Sequence, residues 1–109
     1  MRLLLDESVP ARLRLALPSH AVSTAGREGW SGVKNGRLLT LAATRFDAFI
    51  TVDKSLPFQQ NLATLPIALI VLDTRSIELP ALLPLVPALE RALLTLVPRS
   101  YVLIESGQT

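Results

Sequence analysis

The 109-residue chain contains no cysteine and only one histidine and one tryptophan. Without cysteine it has no disulfide framework, no thiolate metal site and no cysteine nucleophile. A bound metal ion must therefore rest on oxygen ligands or on the single histidine. The lack of cysteine also fits a reducing compartment, and we expect a cytoplasmic protein.

Long apolar runs are missing too, although half of the residues are hydrophobic. The most apolar stretch, residues 79–97, is interrupted by three prolines, a glutamate and an arginine, so we expect no membrane span. The chain also turns acidic at Asp6, too early for the apolar core of a signal peptide. We expect part of the surplus apolar surface to form an oligomer interface, most simply a homodimer.

The chain has little excess of either charge, because eleven Lys and Arg against nine Asp and Glu give a net charge of +2. This balance permits an anionic partner but is too mild to require nucleic acid. Internal repeats, low-complexity tracts and linkers are also absent from the sequence. A chain of this length and apolar content can bury one core, so residues 1–109 are predicted to form a single domain.

Short runs rich in Leu, Val and Ile alternate with segments of helical periodicity, which is typical of an α/β fold with a mostly parallel sheet of four or five strands. The predicted strands are residues 2–5, 20–23, 48–52, 67–72 and 101–104. The predicted helices are residues 10–17, 35–45 with Asn35 as the N-cap, and 79–96 in two pieces. Residues 55–62 are predicted to form a loop or a short helix.

Acidic residues follow the predicted strands. In an open parallel sheet the functional crevice lies beyond the carboxyl ends of the strands. Five of the nine acids fall there: Asp6, Glu7, Asp53, Asp73 and Glu105. Grouped carboxylates repel one another unless a cation neutralises them, and oxygen ligands of this kind suit Mg²⁺ or Mn²⁺. The pattern therefore predicts metal-assisted phosphate chemistry, whereas the alternative is that these acids only form turns and helix caps.

Asp6 and Asp53 are the first candidates for ligands and catalytic groups. Glu7 is an auxiliary candidate, because adjacent strand residues point to opposite faces. Asp73 and Glu105 are treated as solvated strand ends unless they complete the site. Three cations, Lys34, Arg37 and Lys54, are candidates for binding the phosphates of a nucleic acid, with simple solvation as the alternative.

Two single residues and one polar run complete the inventory. His20 has no partner His or Cys, so we expect a hydrogen-bonded structural role. Trp30, between glycines, is expected to anchor the core or an interface. The polar residues 59–61 are placed near the crevice, without a role that the sequence defines.

Four segments, in order, resemble the short bacterial PIN-like proteins, relatives of the toxin ribonucleases of toxin–antitoxin pairs. They are LLLDESVPARL, HAVSTA, GWSGVKNGRLLTLAA and FITVDKSLPFQQNL, and the likeness covers residues 1–73. The resemblance implies a three-layer α/β/α sandwich with an acidic Mg²⁺ or Mn²⁺ site that cleaves RNA, and a small antitoxin encoded nearby. Asp6 matches the family's acid after the first strand, and Asp53 matches the acid of its T-x-D motif.

The chain departs from the family pattern at Asn35, where the family usually carries an acid at the start of the middle helix. An amide offers an oxygen but no charge, so the resemblance implies a more weakly held metal and weakened or lost catalysis. Asn35 therefore enters the metal-ligand set as a neutral member, with Asp73 or Glu28 as substitutes for the missing acid.

Two other functional classes remain as alternatives. The segment FDAFITVDKSLP and the acidic pair after the first strand resemble a phosphorylatable receiver domain, with Asp53 as the acceptor. Receivers also need a lysine after the fifth strand, and PRSYVLIES contains none. The third class is a catalytically inactive interaction module that uses the apolar face of residues 79–97.

Overall fold

The computed structural model describes residues 1–105 and contains a five-stranded, all-parallel sheet. The strands are β1 (Arg2–Leu5), β2 (Ala21–Thr24), β3 (Ala48–Thr51), β4 (Ala68–Asp73) and β5 (Tyr101–Glu105). Every predicted strand is present, with ends displaced by at most about one residue. The α/β class and the mostly parallel sheet are therefore confirmed.

The strand order is β2-β1-β3-β4-β5. The segment that joins β1 to β2 packs on one face of the sheet, and the segment that joins β2 to β3 packs on the other. As a result β1 and β3 lie side by side at the point where the strand order reverses. Open α/β sheets bind their ligands at such a point, beyond the carboxyl ends of the two strands.

Three α-helices and four 3-10 helices connect the strands. The α-helices are α1 (Asn35–Ala42), α2 (Leu79–Leu82) and α3 (Val86–Leu94), and the 3-10 helices are Ala11–Ala16, Leu56–Gln59, Leu62–Thr64 and Leu83–Leu85. The helices cover both faces of the sheet, as a three-layer α/β/α arrangement requires. The prediction that residues 79–96 form a helix in two pieces is close to this result, with a 3-10 turn between the pieces.

Two helix predictions differ from the structure at their bounds. The helix predicted for residues 10–17 is present as the 3-10 helix Ala11–Ala16, in which Leu13 N–H and Leu17 N–H bond to carbonyls three residues earlier. The apolar spacing had not defined its type, because six residues are too few to distinguish the two kinds of helix. The helix predicted for residues 35–45 ends at Ala42, where a tight turn follows. Its N-cap is Lys34, whose side chain makes no capping hydrogen bond, whereas Asn35 is the first helical residue.

The core has two parts because successive strand residues point to opposite faces of the sheet. Leu3 and Leu5 pack against the 3-10 helix Ala11–Ala16 and α3, while Leu4 packs against α1. Most of the apolar stretch 79–97 belongs to the first part, since its buried residues include Leu82, Leu85, Leu89 and Leu93. Within residues 1–105, no helix combines the length and the apolarity needed to cross a membrane.

The conspicuous single residues have structural contacts. The half-buried Trp30 packs edge-on against Phe46, with the ring centroids 6.2 Å apart, beside the part of the core that contains α1. His20 Nε2 lies 2.5 Å from a carboxylate oxygen of Glu90 on α3, and its Nδ1 lies 3.4 Å from the Met1 nitrogen. These contacts agree with the structural roles expected for both residues.

Candidate functional site

A cleft of about 250 Å³ opens at the carboxyl ends of β1 and β3, beside the first turn of α1. Asp6, Glu7, Asn35 and Asp53, which the sequence identified from three separate segments, all line this cleft. Asp6 follows β1 directly, Asp53 follows β3 by two residues, and Asn35 begins α1. The cleft therefore lies at the reversal of strand order, where the fold places a ligand site.

Asp6 is fixed by a turn that the sequence Asp6-Glu7-Ser8 forms at the end of β1. Its Oδ1 accepts hydrogen bonds from the Ser8 N–H at 3.0 Å and from the Ser8 hydroxyl at 2.5 Å. A short polar side chain that binds the backbone two residues later is the usual stabiliser of such a turn. The turn leaves Asp6 only 5% exposed, with its orientation set by its own segment.

Asp53 forms the same turn at the end of β3, in the sequence Asp53-Lys54-Ser55. Its Oδ1 accepts hydrogen bonds from the Ser55 N–H at 2.9 Å and from the Ser55 hydroxyl at 2.6 Å. The carboxylate is half-buried, unlike that of Asp6. The cleft thus contains two copies of one Asp-x-Ser turn, one on each of the two adjacent strands.

The fully buried Thr51 connects these two turns. Its hydroxyl donates to Asp6 Oδ2 at 2.5 Å and accepts a hydrogen bond from the Asp53 N–H at 3.0 Å. The two strands are paired in register here, since Leu5 lies opposite Ile50. Thr51 is therefore the side chain through which the positions of Asp6 and Asp53 depend on each other.

The hydrogen bonds determine which oxygens remain available to a ligand. An ionised carboxylate offers about four lone-pair sites, and Asp6 uses three of them on Ser8 and Thr51. Both bonds to Asp53 fall on Oδ1, and among the described residues no group donates to its Oδ2. Asp53 therefore offers a fully available oxygen, whereas Asp6 offers about one lone pair.

Burial raises the pKa of Asp6 above its ordinary value of 3.8, because the charged form loses its hydration. The bonds from Ser8 and Thr51 oppose this rise, and the nearby charge of Asp53 adds to it. Burial and the neighbouring negative charge thus raise the pKa of Asp6, and a bound cation would oppose both effects. A cation in the cleft would stabilise the ionised form of both carboxylates.

Glu7 and Asn35 complete the polar lining. Glu7 is exposed, and its Oε1 accepts a hydrogen bond of 2.7 Å from the N–H of Gly32. Gly32 has a φ of +79°, a conformation that glycine adopts without strain. Asn35 is half-buried, is the first residue of α1 and contributes to the lining of the cleft.

Other acids named from the sequence do not line the cleft. Asp73 Oδ1 lies 3.0 Å from the ammonium of Lys54, so these two residues form an exposed ion pair beside it. Glu28 accepts a hydrogen bond from the Ser23 hydroxyl and pairs with Arg45 at 3.0 Å, and these contacts lower its pKa. Three further residues, Lys34, Arg37 and Glu105, are exposed, the first two at the start of α1 and the third at the end of β5.

The donor set suits Mg²⁺ or Mn²⁺ better than it suits a softer metal. Mg²⁺ keeps several waters and takes one or two carboxylates, and Asp6 and Asp53 supply two, with the amide oxygen of Asn35 as a neutral addition. Within residues 1–105, however, no three side chains of His, Asp or Glu come together closely enough to hold a metal ion. The geometry therefore fits a loosely held, largely hydrated cation.

Sequence reasoning did not assign a role to Ser8 or Thr51, because neither carries a charge. The signal for Ser8 was the repeat of Asp-x-Ser at residues 6–8 and 53–55, each directly after an apolar strand. Thr51 was noted only as part of the T-x-D motif. Its buried contact with Asp6 spans 45 residues of sequence, so only the pairing of β1 with β3 reveals it.

Together, the sheet order and the cleft define a doubly wound α/β protein with an acidic crevice between β1 and β3. Comparisons of the chain with models of known families, with curated proteins and with solved structures gave no match. The resemblance to PIN-like proteins therefore stays a prediction from the sequence, and the geometry of the cleft is the main support for a function.

Proposed function

We propose that the protein is a metal-dependent nuclease that cleaves RNA at the cleft between β1 and β3. The observation that carries this proposal is the convergence of Asp6 and Asp53 in two matching turns, joined by Thr51, at the reversal of strand order. A buried carboxylate whose pKa is raised, beside a second carboxylate in a cleft, is typical of a functional site.

Each residue of the cleft has a part in this proposal. Asp6 is the fixed ligand, held on both oxygens, and Asp53 contributes its available Oδ2. The amide of Asn35 adds an uncharged oxygen. When bound, Mg²⁺ or Mn²⁺ supplies a site that orients water and stabilises the negative charge of the reacting phosphate. Glu7, held by Gly32 at the rim, is placed to accept a proton from water.

The exposed cations at the start of α1 are candidates for binding the substrate backbone. Lys34 is the N-cap of α1, and Arg37 lies two residues beyond the cleft residue Asn35. They would bind phosphates that flank the cleaved bond. Lys54 is held by Asp73, so its contribution requires that this exposed ion pair exchange partners.

Several parts of the proposal do not rest on the cleft. The choice of RNA over DNA and the toxin role with a small antitoxin encoded nearby rest on the resemblance to PIN-like proteins. The homodimer rests on the surplus apolar surface, and the cytoplasmic location rests on the lack of cysteine. Co-expression of the chain with the product of the adjacent gene, followed by measurement of the mass of any complex, tests the partner and the oligomeric state together.

Cleavage of a labelled RNA in the presence of Mg²⁺ or Mn²⁺ tests the central proposal. Asp6→Asn and Asp53→Asn are each expected to lower the rate by about a hundredfold or more, because weaker perturbations around metal ligands already cost ten- to a hundredfold. Asp47→Asn, at the opposite end of the sheet, should keep full activity. Equal cleavage by the wild type and both cleft variants would indicate a contaminant and contradict the proposal.

A second candidate function is that of a phosphorylatable receiver. Two observations favour it: the strand order 2-1-3-4-5 is common to flavodoxin-like folds, and Asp53 presents an available oxygen after β3. Against it, the only lysine beside Asp53 is bound to Asp73, on the neighbouring strand β4. Saturating beryllofluoride with Mg²⁺ should form an adduct on Asp53 if this candidate is right, and its absence would remove it.

A further inference from the structure

Phe58 is the most exposed large apolar side chain that the structure describes, with 89% of its surface accessible. It lies in the 3-10 helix Leu56–Gln59, which begins just after the Asp53 turn. Its neighbours Leu56 and Pro57 are buried, so the segment is anchored to the core while the Phe58 ring is directed away from it. The ring therefore contributes little to the core.

The support of this ring is connected to the cleft through hydrogen bonds. The Phe58 N–H donates to the Ser55 carbonyl at 3.1 Å, and Ser55 donates its own N–H and hydroxyl to Asp53. Phe58 follows the candidate ligand Asp53 by five residues, three of them in the 3-10 helix, where each residue rises about 2 Å. The ring is thus presented on a hydrogen-bonded segment that begins at the cleft.

The same segment also approaches α1. The side-chain oxygen of Gln60, two residues after Phe58, lies 4.0 Å from the position that a Cβ on Gly36, the residue next to Asn35, would occupy. Exposed cations stand at Lys34 and Arg37, at the start of α1, and at Lys54, directly after Asp53. An exposed aromatic ring beside cations that track a phosphate backbone is the arrangement by which proteins bind single-stranded nucleic acid.

We propose that Phe58 is a stacking platform for an unpaired base of the nucleic acid whose backbone enters the Asp6–Asp53 cleft. The inference rests on the proposed nuclease function and adds a determinant of specificity to it. Stacking requires that the base be splayed out, so Phe58 favours single strands over duplexes. Because every base has an aromatic face, the contact selects unpaired structure and not sequence.

The test compares binding of a fluorescent, cleavage-resistant phosphorothioate RNA strand in the presence of Mg²⁺. Phe58→Ala is expected to weaken binding of the single strand by about 5- to 150-fold, the range found when one stacking aromatic is removed. Phe58→Trp should stay within about twofold of the wild type, since its ring stacks equally well. Binding of a blunt duplex of the same length should not change with either variant.

Leu94→Ala is the matched control. Leu94 is 85% exposed on α3, where it lines a separate cavity with His20 and Glu90 at the other end of the sheet. Its removal takes away a similar exposed apolar surface and should leave RNA binding unchanged. Both alanine variants should melt at the wild-type temperature, because neither side chain is buried, so a loss of binding is not a loss of folding.

The outcomes separate this inference from the nuclease proposal. Tight, Phe58-dependent binding without cleavage of ordinary RNA would contradict the nuclease proposal and support the platform. Cleavage that Phe58→Ala leaves unchanged, together with unchanged binding, would overturn the platform alone. Absence of RNA binding by the wild type would overturn the platform, and so would a change of oligomeric state in Phe58→Ala, which would assign the ring to a protein contact.

Discussion

The two Asp-x-Ser turns at the ends of β1 and β3 share the same hydrogen bonds but differ in their surroundings. In both, the aspartate Oδ1 accepts the N–H and the hydroxyl of the serine two residues later. Asp6 is buried and also accepts the Thr51 hydroxyl on Oδ2, whereas Asp53 is half-buried and has its Oδ2 available. One turn therefore fixes a carboxylate completely and the other leaves it ready for a ligand.

This difference shows how similar local sequences acquire different chemistry from their position in the sheet. β1 lies between β2 and β3, and Asp6 at its end is 5% exposed and contacts the buried Thr51, so the charge of Asp6 is costly. Asp53 begins a surface segment, where water still hydrates it. The pair thus combines a fixed carboxylate with an accessible one, and Thr51 is hydrogen-bonded to both residues.

Among the variants of the two turns, Thr51→Val is expected to have the largest effect on stability. Valine has nearly the same shape but removes both the donor to Asp6 and the acceptor for the Asp53 N–H. We expect the free energy of unfolding to fall by about 1–3 kcal/mol, because a buried carboxylate loses a partner. Urea unfolding measures this change. Thr40→Val, on the exposed face of α1, should change it by less than about 0.5 kcal/mol, and equal losses for both variants would refute the role of Thr51.

Asn35→Asp should convert the neutral side of the cleft into a third charged ligand. We expect the affinity for Mn²⁺ to rise by about tenfold or more, because the affinity of oxygen sites increases with ligand charge. In the metal-free protein, the added charge should raise the pKa of Asp6 further. Calorimetric titration with Mn²⁺ measures the affinity, and an unchanged or weaker affinity would place the cation elsewhere.

Ser8→Ala and Ser55→Ala compare the two turns directly, since each removes one hydroxyl bond to an aspartate. The loss at Ser8 should cost about 1 kcal/mol of unfolding free energy, because the Asp6 carboxylate is buried. At the exposed Ser55, water replaces the hydroxyl and the cost should stay below about 0.5 kcal/mol. Thermal or urea unfolding of both variants provides the measurement, and a larger loss at Ser55 would reverse the comparison.

The smallest effect concerns the pH dependence of stability. Because the pKa of Asp6 is raised by folding, the native protein keeps this proton where the unfolded chain has released it. The stabilisation that protonated Asp6 contributes is complete below pH 3.8 and is lost as the pH rises through the folded-state pKa of Asp6. Asp6→Asn should remove this fall in unfolding free energy, whereas Glu105→Gln, at the end of β5, should retain it. A slope that persists in Asp6→Asn would assign it to another group.

Much of the fold was predictable because hydrophobic runs and their spacing directly reflect burial. The five strands were located to within about one residue. The three inner strands β1, β3 and β4 are almost entirely apolar because they are buried on both faces, and the edge strands β2 and β5 still carry short apolar runs. The segment Ala11–Ala16 was predicted as a helix without its type, because six residues are too few to distinguish a period of 3.0 residues from one of 3.6. The early end of α1 depends on a tight turn at Ala42 that carries no distinctive residue.

The site was predictable only in part. Asp6 and Asp53 were identified because ligands of open α/β sheets bind beyond the carboxyl ends of the strands. Applying this rule requires only the order of strands and helices along the chain. The contacts of Glu28 and Asp73 were not accessible, since Arg45 and Lys54 reach them across turns whose geometry the sequence does not define. The role of the Thr51 hydroxyl could not be predicted, because an uncharged side chain of a common residue type is not distinguished from the others in the sequence.

All the side chains that line the cleft come from residues 6–53, whereas β4, β5 and the helices between them close one side of the sheet. Among the described residues, the part of the chain after residue 73 therefore supports the cleft without lining it. We expect residues 74–105 to tolerate substitutions wherever their apolar pattern is kept. A library randomised in α2 and α3 at fixed hydrophobicity should therefore yield folded proteins with an intact cleft.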